Sequence, residues 1–219
     1  MTITEIAIMN LRDGVTRSML TDPEGEHAWC LATLSAQPGL QHLAWGVTLP
    51  GLDGVDPQQL FWFVEWDDKS SHQKFMDSDI YADFVANIPA YTNTAHPDGP
   101  IIINHYNFPT PPSAFYASAL AADITPKVEY ISVAPETHLT EFQRHSCIAP
   151  PGILHRTMDF GTTFDFAVED YIFTTLCFWH NSDQRQEYLG AENVRNWAEG
   201  VRAPYRTKHV VMTFLEILG

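Results

Sequence analysis

Leu60 to Phe84, LFWFVEWDDKSSHQKFMDSDIYADF, decides the fold because the chain carries it twice. The second copy is Ile172 to Trp197, IFTTLCFWHNSDQRQEYLGAENVRNW. A shift of 113 places Trp66 on Trp179 and needs no gap: Phe75 falls on Tyr188, Met76 on Leu189 and Phe84 on Trp197. The same shift carries Pro38-Gly39-Leu40-Gln41-His42 onto Pro151-Gly152-Ile153-Leu154-His155. A single register over so long a span marks an internal repeat, and a repeat sets the architecture before any local reading does.

Working outward, each copy opens into a longer unit. Glu5 to Leu11 has the β-branched, apolar content of a strand. Trp29, Leu31 and Leu34 fall near helical spacing, and Pro38-Gly39 ends that helix. His42 to Leu49 is a second strand and Leu60 to Trp66 a third, separated by a turn rich in Gly and Pro. Asp67, Asp68 and Ser70 offer cap oxygens to a helix from Ser71 to about Ile88, whose apolar stripe is Phe75, Ile80, Phe84 and Ile88. Ile101 to Phe108 closes the unit as β-α-β-β-α-β, the ferredoxin-like order. The second unit repeats it with strands from Val128, Ile153, Tyr171 and His209 and helices over 139–147 and 182–197. The expected division is 1–108 for the first repeat, 109–126 for a Pro-rich linker and 127–219 for the second.

A four-stranded antiparallel sheet with both helices on one face leaves the other face uncovered. Two such sheets can cover each other. The expected fold class is therefore α+β, two fused ferredoxin-like repeats forming a pseudo-symmetric α+β barrel with the helices outside. Since the fusion would supply both halves, monomer and homodimer are both compatible with it.

Composition narrows the function. A content of 45% hydrophobic residues and 27 aromatics (6 Trp, 8 Tyr, 13 Phe) supplies a sizeable core and enough rings to line an apolar pocket. A net charge of −15 opposes binding to nucleic acid or to an anionic membrane, which need a basic surface. Cys30, Cys147 and Cys177 form neither CxxC nor a disulfide framework. No signal peptide and no spanning apolar run is visible, so a cytoplasmic protein is expected.

Glu65-Trp66-Asp67 at a strand end, followed by Ser71-His72, Phe75, Ser78, Tyr81 and Phe84, resembles the antibiotic-biosynthesis-monooxygenase (ABM) group of dimeric α+β-barrel proteins. There a strand ends in Trp, and the next helix carries a His and then aromatics. The second copy keeps Trp179, Tyr188 and Trp197 but has Arg185 where His72 stands. The resemblance implies the barrel. For activity it implies a range: cofactor-free quinol or anthrone oxygenases, muconolactone-type isomerases, polyketide cyclases, dehydratases and haem-degrading enzymes.

No GxGxxG, Walker loop, HExxH or GxSxG occurs, which leaves dinucleotide, phosphoryl-transfer and serine-hydrolase chemistry without a signal. Ten histidines are the chief chemical resource, because imidazole titrates near neutrality. His105, beside Tyr106, interrupts the apolar strand IIINHYNF, and a buried imidazole there needs a partner or a cavity. Glu65 shares its strand face with Phe61 and Phe63, so it is a candidate acid or base; the plainer reading is a solvated strand end. His42 and His155 are repeat-related, each three residues past a Pro-Gly glycine, and either catalytic or bonded to a turn carbonyl. His72 is assigned to helix packing. Trp62, Trp66, Phe63 and Trp179, with Tyr106, are candidate substrate-binding residues as well as core. A 2-His-1-carboxylate metal set could form only across strands, and no local spacing supports one; neither metal nor cofactor is expected.

The sequence thus predicts a cofactor-free enzyme acting on a hydrophobic small molecule of polyketide or terpenoid type. It would promote cyclisation, isomerisation or dehydration, with His105, Glu65, His42 and His155 as acid–base candidates. An ABM-type monooxygenase acting on a phenol or anthrone is the first alternative and a non-catalytic binding protein the second.

Overall fold

The computed structural model describes residues 2–48, 58–97, 99–108, 111–114 and 117 with their side chains. It also describes the backbone of four later strands, and the expected helices over 139–147 and 182–197 lie outside the described residues. The chain divides into two compact units, one of Met1–Val47, Gln58–His105 and Leu215–Gly219, the other of Thr48–Pro57 and Tyr106–Phe214.

In the first unit β1 (Ile3–Asn10) leads through a single turn, α1 (Arg17–Leu20), to α2 (Glu26–Ser35). Strands β2 (Leu40–Thr48) and β3 (Gln59–Trp66) follow, then α3 (Lys69–Met76), α4 (Ile80–Asn87), a 3-10 turn (Ile88–Ala90) and β4 (Ile101–Tyr106). The strand order is β4-β1-β3-β2, with β3 antiparallel to both β1 and β2, so the unit is an α+β sandwich of ferredoxin-like order. In the second unit β5 (Lys127–Ala134), β6 (His155–Asp159), β7 (Phe173–Trp179) and β8 (Arg206–Leu218) stand in the order β8-β5-β7-β6.

The two registers match. Ile3 and Glu5 lie opposite Trp66 and Val64 in the first unit. Lys127 and Glu129 lie opposite Trp179 and Cys177 in the second.

Strand alternation gives the first sheet two distinct faces. Ala7 and Met9 of β1, Leu43 and Trp45 of β2, and Leu60, Trp62, Val64 and Trp66 of β3 share one core with the helices. The helices answer with Cys30, Leu31 and Leu34 from α2, Phe75 from α3 and Phe84 from α4. Ile6, Ile8, Phe61, Phe63, Ala44 and Tyr106 occupy the opposite face and are likewise buried.

One expected element is corrected. The helix predicted over 71–88 is two helices, because Asp77-Ser78-Asp79 interrupts it. Short polar side chains compete with the helical ladder for backbone partners. Here the Ser78 hydroxyl donates to the Phe75 carbonyl at 2.6 Å, and the Gln73 amide nitrogen donates to the Asp77 carboxylate at 3.0 Å. The cap itself is Asp68, whose Oδ1 accepts from the backbone amides of Ser70 (2.6 Å) and Ser71 (3.2 Å).

The entry to α3 is tied to the exit from α2 through Gly39. Its carbonyl accepts from the Asp67 amide at 2.8 Å, and its φ of 89° lies in the left-handed region. A Cβ there would collide with the Ser71 side chain and the Asp67 carboxylate. Gly39→Ala is expected to destabilise the chain by about 1–3 kcal/mol from backbone strain alone, and by more with the clash. Urea unfolding should show a lower midpoint at unchanged slope; an unchanged midpoint would refute this role for Gly39.

Candidate functional site

Three separate elements bring Glu5, His72 and His105 together on the helix-covered face. β1 supplies Glu5, whose parity is that of Ala7 and Met9. α3 supplies His72 one turn before Phe75, and both face the sheet. β4 supplies His105, whose parity is that of Ile101 and Ile103, both packed against the same core. One ligating atom from each of the three lies within 4.8 Å of the other two.

Glu5 Oε2 is the hub. It accepts from the Trp66 indole nitrogen at 3.0 Å and lies 3.4 Å from His72 Nε2 and 3.9 Å from His105 Nε2. His105 Nε2 is 2.9 Å from His72 Nδ1. The Trp66 ring stacks on His72 with centroids 5.3 Å apart and on Phe75 at 6.1 Å, which fixes the imidazole plane against the core. Side-chain exposure is 9% for Glu5, 10% for His72 and 12% for His105, so the group is sheltered yet reachable from its His105 edge. Burial, and next the charge of Glu5, hold the nearby Tyr81 phenol above its usual range.

One tautomer assignment is consistent with these contacts. Indole N–H can only donate and an ionised carboxylate can only accept. With His72 Nε2 protonated toward Glu5, His72 Nδ1 is an acceptor and His105 Nε2 its donor. The arrangement is a carboxylate–imidazole–imidazole chain, able to take up a proton at one end and share the charge along its length. The same atoms, two imidazole nitrogens and a carboxylate oxygen, also constitute a donor set suited to a transition metal.

His27 sits on the same face and does something else. Its Nδ1 donates to the Leu20 carbonyl at 2.8 Å and its Nε2 accepts from the Trp62 indole at 2.9 Å. Trp45, Trp62 and Tyr91 surround the ring. Both nitrogens are committed to one neutral tautomer. Protonation would turn two N–H groups against each other, and burial, opposed in part by the Leu20 bond, drives the pKa down to about 4. Burial likewise pushes the Cys30 thiol up to about 11, against the opposing effect of the Tyr91 hydroxyl. These are core groups rather than reagents.

The sequence candidates divide between the two faces. His105 and Trp66 belong to the Glu5 cluster, while Trp62 is engaged by His27. Glu65 is buried on the opposite face with Phe63, and His42 lies opposite it in register but is exposed, just past a bulge at Gln41. Tyr106, stacked on Phe108 at 5.3 Å, faces away from His105. His155 opens β6 and Trp179 closes β7; their side chains lie outside the described residues. Glu65 and His105 therefore do not meet. Sequence reasoning passed over Glu5 and left His72 to packing. A signal for Glu5 was present, since it is the one charged residue in the strand ITEIAIMN.

No protein-family description matches the sequence, and no curated protein matches it either. Solved structures do. An anthrone oxidase-like protein superposes with a TM-score of 0.61 at 8% identity, covering 99% of this chain and 92% of that one. A protein named as a monooxygenase from Fusobacterium nucleatum gives 0.58 at 9% identity, over 99% and 93%. One named as a chlorite dismutase gives 0.51 at 15%, over 99% and 96%. At such identities the likeness is one of fold, and the chain is similar in fold to proteins with different names. Among the described residues, no helix is long and apolar enough to cross a membrane.

His27 generates a pH prediction. Its folded pKa of about 4 lies below the ordinary 6.5, so the unfolded chain binds the extra proton first. Its stabilising contribution is complete above pH 6.5 and is lost as the pH falls toward 4, on the order of 3 kcal/mol at the full shift. Unfolding free energy measured across that window should fall for the wild type. A His27→Gln variant, starting lower, should show a shallower fall; equal slopes would refute the assignment.

Proposed function

We propose that the chain is an enzyme that moves a proton on a hydrophobic small molecule, with His105, His72 and Glu5 as the acid–base group. The observation that carries this reading is the 2.9 Å contact between His105 and His72, backed by a carboxylate that Trp66 holds in place. His105 is the most exposed of the three and takes the substrate proton. His72 and Glu5 share the resulting charge. Orientation within an apolar site contributes further, up to ~7–11 kcal/mol for well-aligned partners.

The preferred outcome after deprotonation is cyclisation, isomerisation or loss of water, with no cofactor required. A second reading is favoured by the names of the structural neighbours: cofactor-independent monooxygenation. In that case an anthrone gives up a methylene proton and its carbanion reduces O₂. The CH₂ becomes C=O, one oxygen atom stays in the product and the other leaves as water. A third outcome is a binding protein without turnover.

We infer further that the chain is the fused form of the fold, its second unit repeating the first over 127–219 after a linker at 109–126. The repeated strand order and the parallel placement of Glu5 and Glu129 two positions past the Trp partner support this reading. A pseudo-symmetric barrel, working as a monomer or homodimer in the cytoplasm, accords with it. Glu65, with Phe63 and Tyr106, would then belong to the face away from the acid–base group.

An oxygen electrode with an anthrone or quinol substrate separates the readings. Uptake with stoichiometric product indicates oxygenation, whereas product formed under argon indicates cyclisation, isomerisation or dehydration. In either case His105→Ala and His72→Ala are expected to lose about 10²–10⁴-fold in kcat, the usual worth of a positioned acid–base group. His42→Ala, on the other face, should retain activity. Full activity in both cluster variants would overturn the assignment.

A further inference from the structure

We propose that Glu5, His72 and His105 form a binding site for one divalent transition-metal ion of the zinc class. The claim goes beyond proton transfer and stands whether or not that reading holds. Among the described residues, these three are the group of His, Cys, Asp or Glu whose ligating atoms converge on a common centre.

The spacing suits the ion. Zinc bonds of about 2.0–2.2 Å in tetrahedral array put donor atoms about 3.3–3.5 Å apart. Glu5 Oε2 and His72 Nε2 are already 3.4 Å apart, and His105 Nε2 stands 3.9 Å from the same oxygen. His105 has to turn its nitrogen from His72 Nδ1 toward Nε2, a movement of side chains between an edge strand and a helix. Nitrogen donors select zinc, cobalt, nickel, copper or iron over magnesium and calcium, which prefer oxygen alone.

The surroundings are also those of a ligand set. The Trp66 indole donates to the ligating carboxylate oxygen and so orients it, the part that an outer-shell hydrogen bond plays at a metal centre. Three protein ligands leave a fourth position, and the 12% exposure of His105 marks the side from which water or substrate would fill it. Two imidazoles and a carboxylate this close can share either a hydrogen-bonded proton or a metal ion. A proton between the rings is one solution and a metal ion among all three donors is the other. The two exclude each other, because the ion takes lone pairs that the proton chain uses.

The test uses the full chain, freed of any histidine tag and stripped with chelator, in equilibrium dialysis against Zn²⁺ alone and against Co²⁺ alone. One equivalent of zinc should be retained, and the cobalt form should show visible ligand-field bands without the intense near-ultraviolet absorption of a thiolate ligand. His105→Ala, at a position partly open to solvent, and Glu5→Gln should each bind at least tenfold more weakly while keeping the far-ultraviolet circular dichroism of the wild type. Should Glu5→Gln fail to fold, the cobalt spectrum of the wild type and the His105→Ala affinity decide alone. No stoichiometric zinc, a thiolate spectrum, or undiminished binding by His105→Ala would overturn the proposal. Turnover by metal-free protein would leave the acid–base reading intact, and metal binding without turnover would leave this one intact.

Discussion

Glu5 is a carboxylate in the middle of a strand whose every residue is buried, and much of the first unit is arranged to satisfy it. Removing an ionised carboxylate from water is costly unless donors or a cation replace the lost hydration. The β1–β3 register sets Glu5 opposite Val64, on the same face as Trp66, so the indole nitrogen reaches it at 3.0 Å. That bond fixes Trp66, whose ring stacks on both His72 and Phe75 and so docks α3 on the sheet. The start of α3 is fixed independently, by the Asp68 cap and by the Gly39 carbonyl that holds Asp67. A polar requirement at one position thus specifies the placement of a strand, a helix and an aromatic cluster together.

The two histidine environments on this face show how placement rather than residue type sets chemistry. His27 projects from the first turn of α2 into the core, 2% exposed, with both nitrogens occupied by groups that admit one tautomer. Neutrality is enforced there, and the ring acts as a polar strut between Leu20 and Trp62. His72 and His105 lie at the β4 edge, where a carboxylate is within 4 Å and water has partial access. The same side chain thus meets two different environments on one face of the sheet.

The first unit was legible because it rests on strand alternation and helical stripes, signals that are local or strictly periodic. Strand positions from Leu60 to Trp66 and the helix ending at Ser35 follow directly from them. The break at Asp77-Ser78-Asp79 was missed because the apolar stripe runs on through it, and three short polar residues outweigh a stripe only where their hydrogen bonds form. The site was half legible. His105 stood out as a polar residue in an apolar strand, and the same argument applied to Glu5 would have found the second member. His72 could not be placed, since its partners are 67 positions before it and 33 after it in sequence, and only the β4-β1-β3 order makes them neighbours. Glu65 too is a carboxylate among aromatics; alternation assigned its face correctly, but nothing local revealed that His105 belongs to the other.

The second unit supplies an internal comparison. Glu129 stands opposite Cys177, two positions from the Lys127–Trp179 pair, as Glu5 stands opposite Val64 two positions from the Ile3–Trp66 pair. The carboxylate and the tryptophan therefore recur at matching register positions. The histidines do not: the shift of 113 sets Arg185 against His72, and on β8 the residue opposite Glu129 is Val211. In the first unit the Glu5–Trp66 bond helps to dock α3 on the sheet, whatever the histidines do. By sequence, what distinguishes the first unit is the pair of imidazoles that α3 and β4 bring to that carboxylate.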